Sequence, residues 1–77
     1  MDKKVERIIS LYERLNNGEI IVKADEADRF GVNERSIQRD LEDIRAFLAN
    51  DQESNRSLIY DRGKKGYIIS QKQKNRK

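Results

Sequence analysis

Four large aliphatic residues in the middle of this chain are spaced as one side of an α-helix. Ile37, Leu41, Ile44 and Leu48 follow one another at intervals of four, three and four residues, which at about 100° per residue places them in one stripe. A helix with such a stripe has to bury it against other elements. Asn33 precedes the stripe and suits the N-cap position, because its side chain accepts hydrogen bonds from amides of the first turn.

The chain has little material with which to cover this helix. Its 77 residues are 35% hydrophobic and 40% charged, so we expect one small domain. It has no Cys and no His, which excludes disulfides, thiolate nucleophiles, imidazole bases and Cys/His metal sites. An enzyme would need a carboxylate, Lys or Tyr site, and no length remains to enclose one. We therefore expect no enzymatic activity, no cofactor and no metal.

The apolar runs are too short for a membrane span or a signal peptide. The longest run is four residues, 46–49, whereas a span needs about 20 and the core of a signal peptide about 7 to 15. We expect a cytoplasmic protein.

The rest of the chain divides into short segments. Apolar spacing predicts a first helix over residues 5–15, ended by Asn17-Gly18, with Arg7 and Arg14 on its polar side. Residues 19–22 favour a short strand or an extended connector, and 23–30 a short second helix that Gly31 ends. Residues 50–57 read as a loop, and 58–60 with 66–69 as a hairpin around a basic turn.

This order of elements is that of a winged helix-turn-helix, mainly α with a small antiparallel hairpin. Ala27 is small where two helices meet, Gly31 supplies the turn, and Val32 and Ile37 close the wedge between them. We assign residues 1–70 to this domain. Residues 71–77 are basic and without apolar side chains, and we expect them to be a disordered tail.

The positive charge is concentrated at the C-terminal end. Residues 1–61 hold 10 basic and 14 acidic side chains, whereas residues 62–77 hold 7 basic and no acidic ones. Such a segment attracts nucleic acid or anionic lipid through its field. The alternative is a solvated tail that keeps the domain soluble.

Residues 30–45, together with Ile59-Tyr60-Asp61 and 66–69, closely resemble the N-terminal DNA-binding domain of DeoR-type and WYL-domain transcriptional regulators. The resemblance covers about residues 4–70. It implies a bacterial activator or repressor domain, which in such proteins is usually followed by a separate effector-sensing or WYL domain. We therefore expect these 77 residues to be either a piece of a longer regulator or a stand-alone member of the family. Glu26 departs from the family, which commonly has leucine there. A carboxylate at this inward-facing position must reach solvent or find a basic partner.

In a helix-turn-helix the second helix of the motif enters the major groove N-terminus first, so its first two turns reach the bases of double-stranded DNA. Arg suits guanine and Gln suits adenine, each through two hydrogen bonds. The predicted base-contacting residues are Arg35, Ser36, Gln38 and Arg39. Nearby acidic side chains would repel phosphate, so we expect Asp40, Glu42 and Asp43 to point away from the groove.

The DNA backbone is expected to meet the ends of the two helices and the tip of the hairpin. Amides at a helix N-terminus bind phosphate, and basic side chains neutralise it. The predicted backbone-contacting residues are Lys23, Asn33, Arg62, Lys64 and Lys65.

Each assignment has a structural alternative. Arg35 and Arg39 also fit a solvated face, with Arg39 paired to Asp43, and the lysines of the hairpin also protect a sheet edge. Tyr60 and Tyr67 are read as cross-strand core partners rather than stacking platforms for bases.

The whole domain also has an alternative role, as a winged-helix protein-interaction module.

We read the acids Asp25, Glu26 and Asp28 as a solvated helix face rather than a metal site. A homodimer is expected, because helix-turn-helix proteins pair half-sites one helical turn apart, and Leu11 on the first helix is a candidate contact.

Overall fold

The computed structural model describes residues 2–51, 53 and 55–71. Three helices precede a two-stranded hairpin: α1 (Lys3–Asn16), α2 (Lys23–Phe30), α3 (Glu34–Asn50), β1 (Arg56–Asp61) and β2 (Gly66–Gln71). The predicted fold class is confirmed, since the domain is mainly helical and its elements follow the order of a winged helix. Within the described ranges, no helix has the length and apolar character needed to cross a membrane.

The helix ends are set by the residues that the sequence indicated. Gly31 has φ +67°, a left-handed conformation that costs glycine little, and the amide of Val32 bonds back to the carbonyl of Ala27 at 3.0 Å. The Asn33 side chain accepts a hydrogen bond from the Ser36 amide at 2.9 Å and so caps α3. These two devices join α2 and α3 through a turn of only three residues.

The stripe of α3 lies at the centre of the core. Ile37, Leu41, Ile44 and Leu48 are all buried. The other buried apolar residues are Leu11, Leu15, Ile21, Ala27 and Leu58. Leu11 is fully buried beneath α3 and the hairpin, so the prediction that it contacts a second copy is wrong.

The hairpin is longer than predicted at both ends. β1 and β2 pair antiparallel from Arg56 with Gln71 to Asp61 with Gly66, so the predicted loop shortens and Gln71 belongs to a strand. Residues 72–77 of the predicted tail lie outside the described residues. Tyr60 and Tyr67 are cross-strand partners, as predicted, with ring centroids 5.1 Å apart, although Tyr60 is 51% exposed and is not part of the core.

The connector before α2 is joined to the hairpin by a single isolated β-bridge. Ile21 and Tyr67 exchange two backbone hydrogen bonds, of 2.9 and 2.7 Å. Gly66 permits this approach, because a Cβ there would lie 2.9 Å from the carbonyl oxygen of Ile21. The turn end of the hairpin is thereby fixed next to the start of α2.

Among the described residues, two largely buried ion pairs attach α1 to the other helices. Arg7 donates two hydrogen bonds to the fully buried carboxylate of Asp40 on α3, and these bonds raise the pKa of Arg7 against the opposing effect of its own burial. Arg14 and Glu26 are joined by two hydrogen bonds of 2.8 Å, which raise the pKa of Arg14 likewise. The prediction that Arg7 and Arg14 lie on an exposed side of α1 is wrong.

The Arg14 contact also explains Glu26. Its side chain is 5% exposed, so this position faces inward, and the carboxylate finds the basic partner that such burial requires. The interpretation of Asp25, Glu26 and Asp28 as a solvated face is therefore wrong for Glu26.

Candidate nucleic-acid interface

Hydrogen bonds join residues of α2 and β2 to the first half of α3. Lys23, the first residue of α2, donates from Nζ to Oε1 of Gln38 at 2.9 Å. The hydroxyl of Tyr67 on β2 donates to the same oxygen over a longer 3.4 Å. Gln38 in turn donates from Nε2 to Glu42 at 3.0 Å. The start of α2, the second turn of α3 and the turn end of the hairpin therefore form one surface.

Arg35 and Arg39 project from this part of α3 into solvent. Both are exposed and lie opposite the buried stripe, as the sequence predicted. Asp43, the suggested partner of Arg39, instead pairs with Lys4 of α1 at 3.6 Å. Within the described part of the chain neither arginine has a hydrogen-bonding or ionic partner, so both guanidinium groups can bind an external acceptor.

The eight arginines in the described ranges fall into two groups. Five have partners within the protein: Arg7, Arg14, Arg29, Arg45 and Arg56. The three that have none among the described residues are Arg35, Arg39 and Arg62, the same three that the sequence assigned to DNA contacts. Intramolecular pairing thus separates arginines that stabilise the fold from arginines that are available for binding.

The turn between the strands carries the other exposed cations. Asp61 shapes it, because its side chain accepts a hydrogen bond from the Lys64 amide at 3.0 Å. Lys65 completes the turn with φ +59°. Residues 62–65 are all exposed, and the Lys64 ammonium is held only loosely, 4.0 Å from Asp61. The tip therefore presents three cations to solvent.

The remaining predicted contacts lie at the start of α3. Asn33 is exposed, and its amide nitrogen stays available while its oxygen caps the helix. Ser36 is half-buried in the first turn. Both residues are placed at the positive end of the α3 dipole, where anions bind favourably.

The three acids expected to point away from the groove have three different environments. Asp40 is buried against Arg7, and Asp43 is turned towards α1. Glu42 is exposed and accepts the hydrogen bond from Gln38, so the prediction is wrong for Glu42, which lies on the same side as Arg35 and Arg39. Its position was already evident from the helical spacing, since Glu42 follows Arg35 by two turns.

A second surface feature went unnoticed in the sequence. An apolar groove of about 270 Å³ runs between α1 and α3. Ile9 and Phe47 at its edges are 44% and 54% exposed. The groove exists only because α1 and α3 pack side by side, so the spacing of apolar residues within each helix does not predict it.

Comparison of this chain with protein-family models, curated proteins and solved structures finds no match. The case for a function therefore depends on the geometry of the surface around α3 and the hairpin.

Proposed function

We propose that this protein is a sequence-specific binder of double-stranded DNA, acting as the DNA-binding domain of a bacterial, cytoplasmic transcriptional regulator. The first half of α3 enters the major groove, and the hairpin lies along the adjacent backbone or minor groove. The observation that supports this most is the division of the arginines. The three arginines without a partner among the described residues, Arg35, Arg39 and Arg62, belong to the two elements that a winged helix-turn-helix applies to DNA.

The two arginines of α3 are suited to read guanine. They are four residues apart and therefore one above the other on the helix, and each guanidinium can donate to both O6 and N7 of one guanine. The other residues of this half of α3, Ser36 and Asn33, support contacts with a base edge or a phosphate.

Phosphate contacts come from the edges of the surface. Lys23 uses one ammonium hydrogen on Gln38 and keeps two for a phosphate. Arg62, Lys64 and Lys65 form the cationic tip of the hairpin. Each phosphate contact steepens the dependence of log K on log salt by about 0.9, so this part of the surface is detectable by titration with salt.

The test begins with selection of duplexes from a randomised pool by the full chain, followed by sequencing. Enrichment of a short motif is the expected result. An inverted repeat would show a homodimer, and a single half-site a monomer. Affinity for the selected duplex and for a shuffled one is then measured by fluorescence anisotropy at several salt concentrations.

Arg39→Ala should weaken binding to the selected duplex by about 1–3 kcal/mol and change binding to the shuffled duplex much less. Arg45→Ala is the matched control, because it removes the same charge from a side chain of α3 that is turned towards β1, where it donates a 3.4 Å hydrogen bond to the carbonyl oxygen of Leu58. Lys65→Ala should weaken binding to both duplexes and lower the salt slope by about 1.

Equal losses for Arg39→Ala and Arg45→Ala on both duplexes would contradict base reading. A folded protein that retains no duplex at all would favour the alternative, a winged-helix protein-interaction module. Far-UV circular dichroism of each variant confirms that the helices are intact.

A further inference from the structure

The side-chain amide of Gln38 is held in one orientation by opposite charges at its two ends. The Lys23 ammonium lies 2.9 Å from Oε1, and the Glu42 carboxylate lies 3.0 Å from Nε2. Rotating the amide by 180° would place its NH₂ group against the ammonium and its oxygen against the carboxylate. A charge-assisted hydrogen bond at each end is stronger than a neutral one, so this orientation is fixed electrostatically.

This orientation removes the reading of adenine that Gln38 would otherwise offer. Two-point recognition of adenine by glutamine needs its oxygen to accept from N6 while its nitrogen donates to N7. Here Oε1 already accepts from Lys23 and from the Tyr67 hydroxyl. Gln38 is left with one free N–H, and the acceptor on this surface is the carboxylate of Glu42.

We propose that Glu42, positioned by Gln38, is a specificity-determining residue that selects a base carrying an exocyclic amine. This inference depends on the proposed DNA-binding function. A carboxylate can only accept, so it bonds to N4 of cytosine or N6 of adenine. The keto oxygens of guanine and thymine present a second acceptor to it, which is repulsive. Glu42 therefore favours cytosine or adenine over guanine or thymine at one position of the site.

Neighbouring cations offset the repulsion between the Glu42 carboxylate and the phosphates of DNA. Arg35 and Arg39 lie on the same exposed side of α3, and Lys23 is linked to the carboxylate through the Gln38 amide. The chain of hydrogen bonds from Lys23 through Gln38 to Glu42 runs from cation to anion, which polarises each bond in the same sense. Lys23, Gln38 and Tyr67 are in this scheme positioning residues.

The inference is tested by repeating the duplex selection with Glu42→Gln. A glutamine at this position donates as well as accepts, so guanine and thymine become acceptable. We expect the preference at one motif position to fall about tenfold, with the other positions unchanged. Asp43→Asn is the matched control, since it removes an equal charge from the next residue of α3, which faces α1. Both variants should bind all DNA more tightly through charge alone, but only Glu42→Gln should change the motif.

Gln38→Met tests the positioning, because methionine has a similar length and cannot hold the carboxylate. It should weaken the preference at the same motif position as Glu42→Gln. An unchanged motif with Glu42→Gln, or an identical change with Asp43→Asn, overturns the inference while the proposed function stands. A wild-type selection without any motif overturns both.

Discussion

Replacing Glu26 by leucine should destabilise this domain, even though the position is buried and leucine is apolar. In this chain the position is occupied by a carboxylate that bonds Arg14 twice at 2.8 Å. Leucine would fill the space but leave the guanidinium without its anion. Removing one member of a buried ion pair is far more harmful than replacing both by apolar residues.

The environment of Arg14 sets the size of the effect. Loss of one partner from a buried pair costs about 3–5 kcal/mol. The Arg14 side chain is 17% exposed and keeps a hydrogen bond to Ser10 at 3.3 Å, so part of its charge stays solvated and the cost falls to about 2–3 kcal/mol. A chain of this length has a total stability of about 4–12 kcal/mol. The expected fall in Tm is about 10–20 °C.

Thermal and urea unfolding followed by far-UV circular dichroism measure this difference. Arg29→Ala is the control, because Arg29 approaches the same carboxylate at 3.3 Å from a side chain that is 60% exposed, and such a pair contributes under about 0.5 kcal/mol. The double variant Arg14→Met with Glu26→Leu should recover most of the loss, since no buried charge remains.

Two results would refute this reasoning. The first is a Glu26→Leu variant that unfolds at or above the wild-type temperature, which would show that Arg14 reaches water without cost. The second is a double variant that is less stable than Glu26→Leu alone, which would show that Arg14 stabilises the domain through packing rather than through Glu26.

Three further substitutions test other parts of the fold by urea unfolding. Asp40→Ala leaves a largely buried guanidinium of α1 unpaired and should cost at least about 3 kcal/mol; a loss below 1 kcal/mol would contradict this. Gly66→Ala places a methyl group 2.9 Å from the carbonyl of Ile21 and should cost about 1–3 kcal/mol, whereas Gly63→Ala, which meets only a side chain, should be nearly neutral. Asn33→Ala removes the side-chain cap of α3 and should lower the free energy of unfolding by about 1 kcal/mol. Asn33→Ser keeps a capping oxygen and should leave the free energy of unfolding close to that of the wild type.

Periodic burial was predictable from the sequence because it depends on spacing within one helix. Ile37, Leu41, Ile44 and Leu48 form the buried stripe as expected, and Gly31 and Asn33 end and begin helices through local backbone chemistry. The exposed positions of Arg35 and Arg39 follow from the same spacing.

The internal partners of charged side chains were not predictable in this way. Arg7 and Asp40 are 33 positions apart, and Arg14 and Glu26 are 12 apart, so neither pair has a signal within one helix. Periodicity assigns every charge to the solvent side, which is wrong for all four. Leu11 was misplaced for the related reason that its cover comes from other elements.

The same limit applied to the candidate site. Gln38 was predicted as an independent reader of adenine, but Lys23 and Tyr67 reach it from positions 15 and 29 residues away. Only their convergence shows that its oxygen is occupied.

The two backbone hydrogen bonds between Ile21 and Tyr67 join the hairpin rigidly to the helices. A hairpin held in this way cannot swing to follow the backbone of whichever duplex it meets. In the proposed complex the DNA would bend to match the fixed angle between α3 and the hairpin, at an energy that depends on the stiffness of its base steps. Base pairs between the two contact regions would then influence affinity without touching the protein.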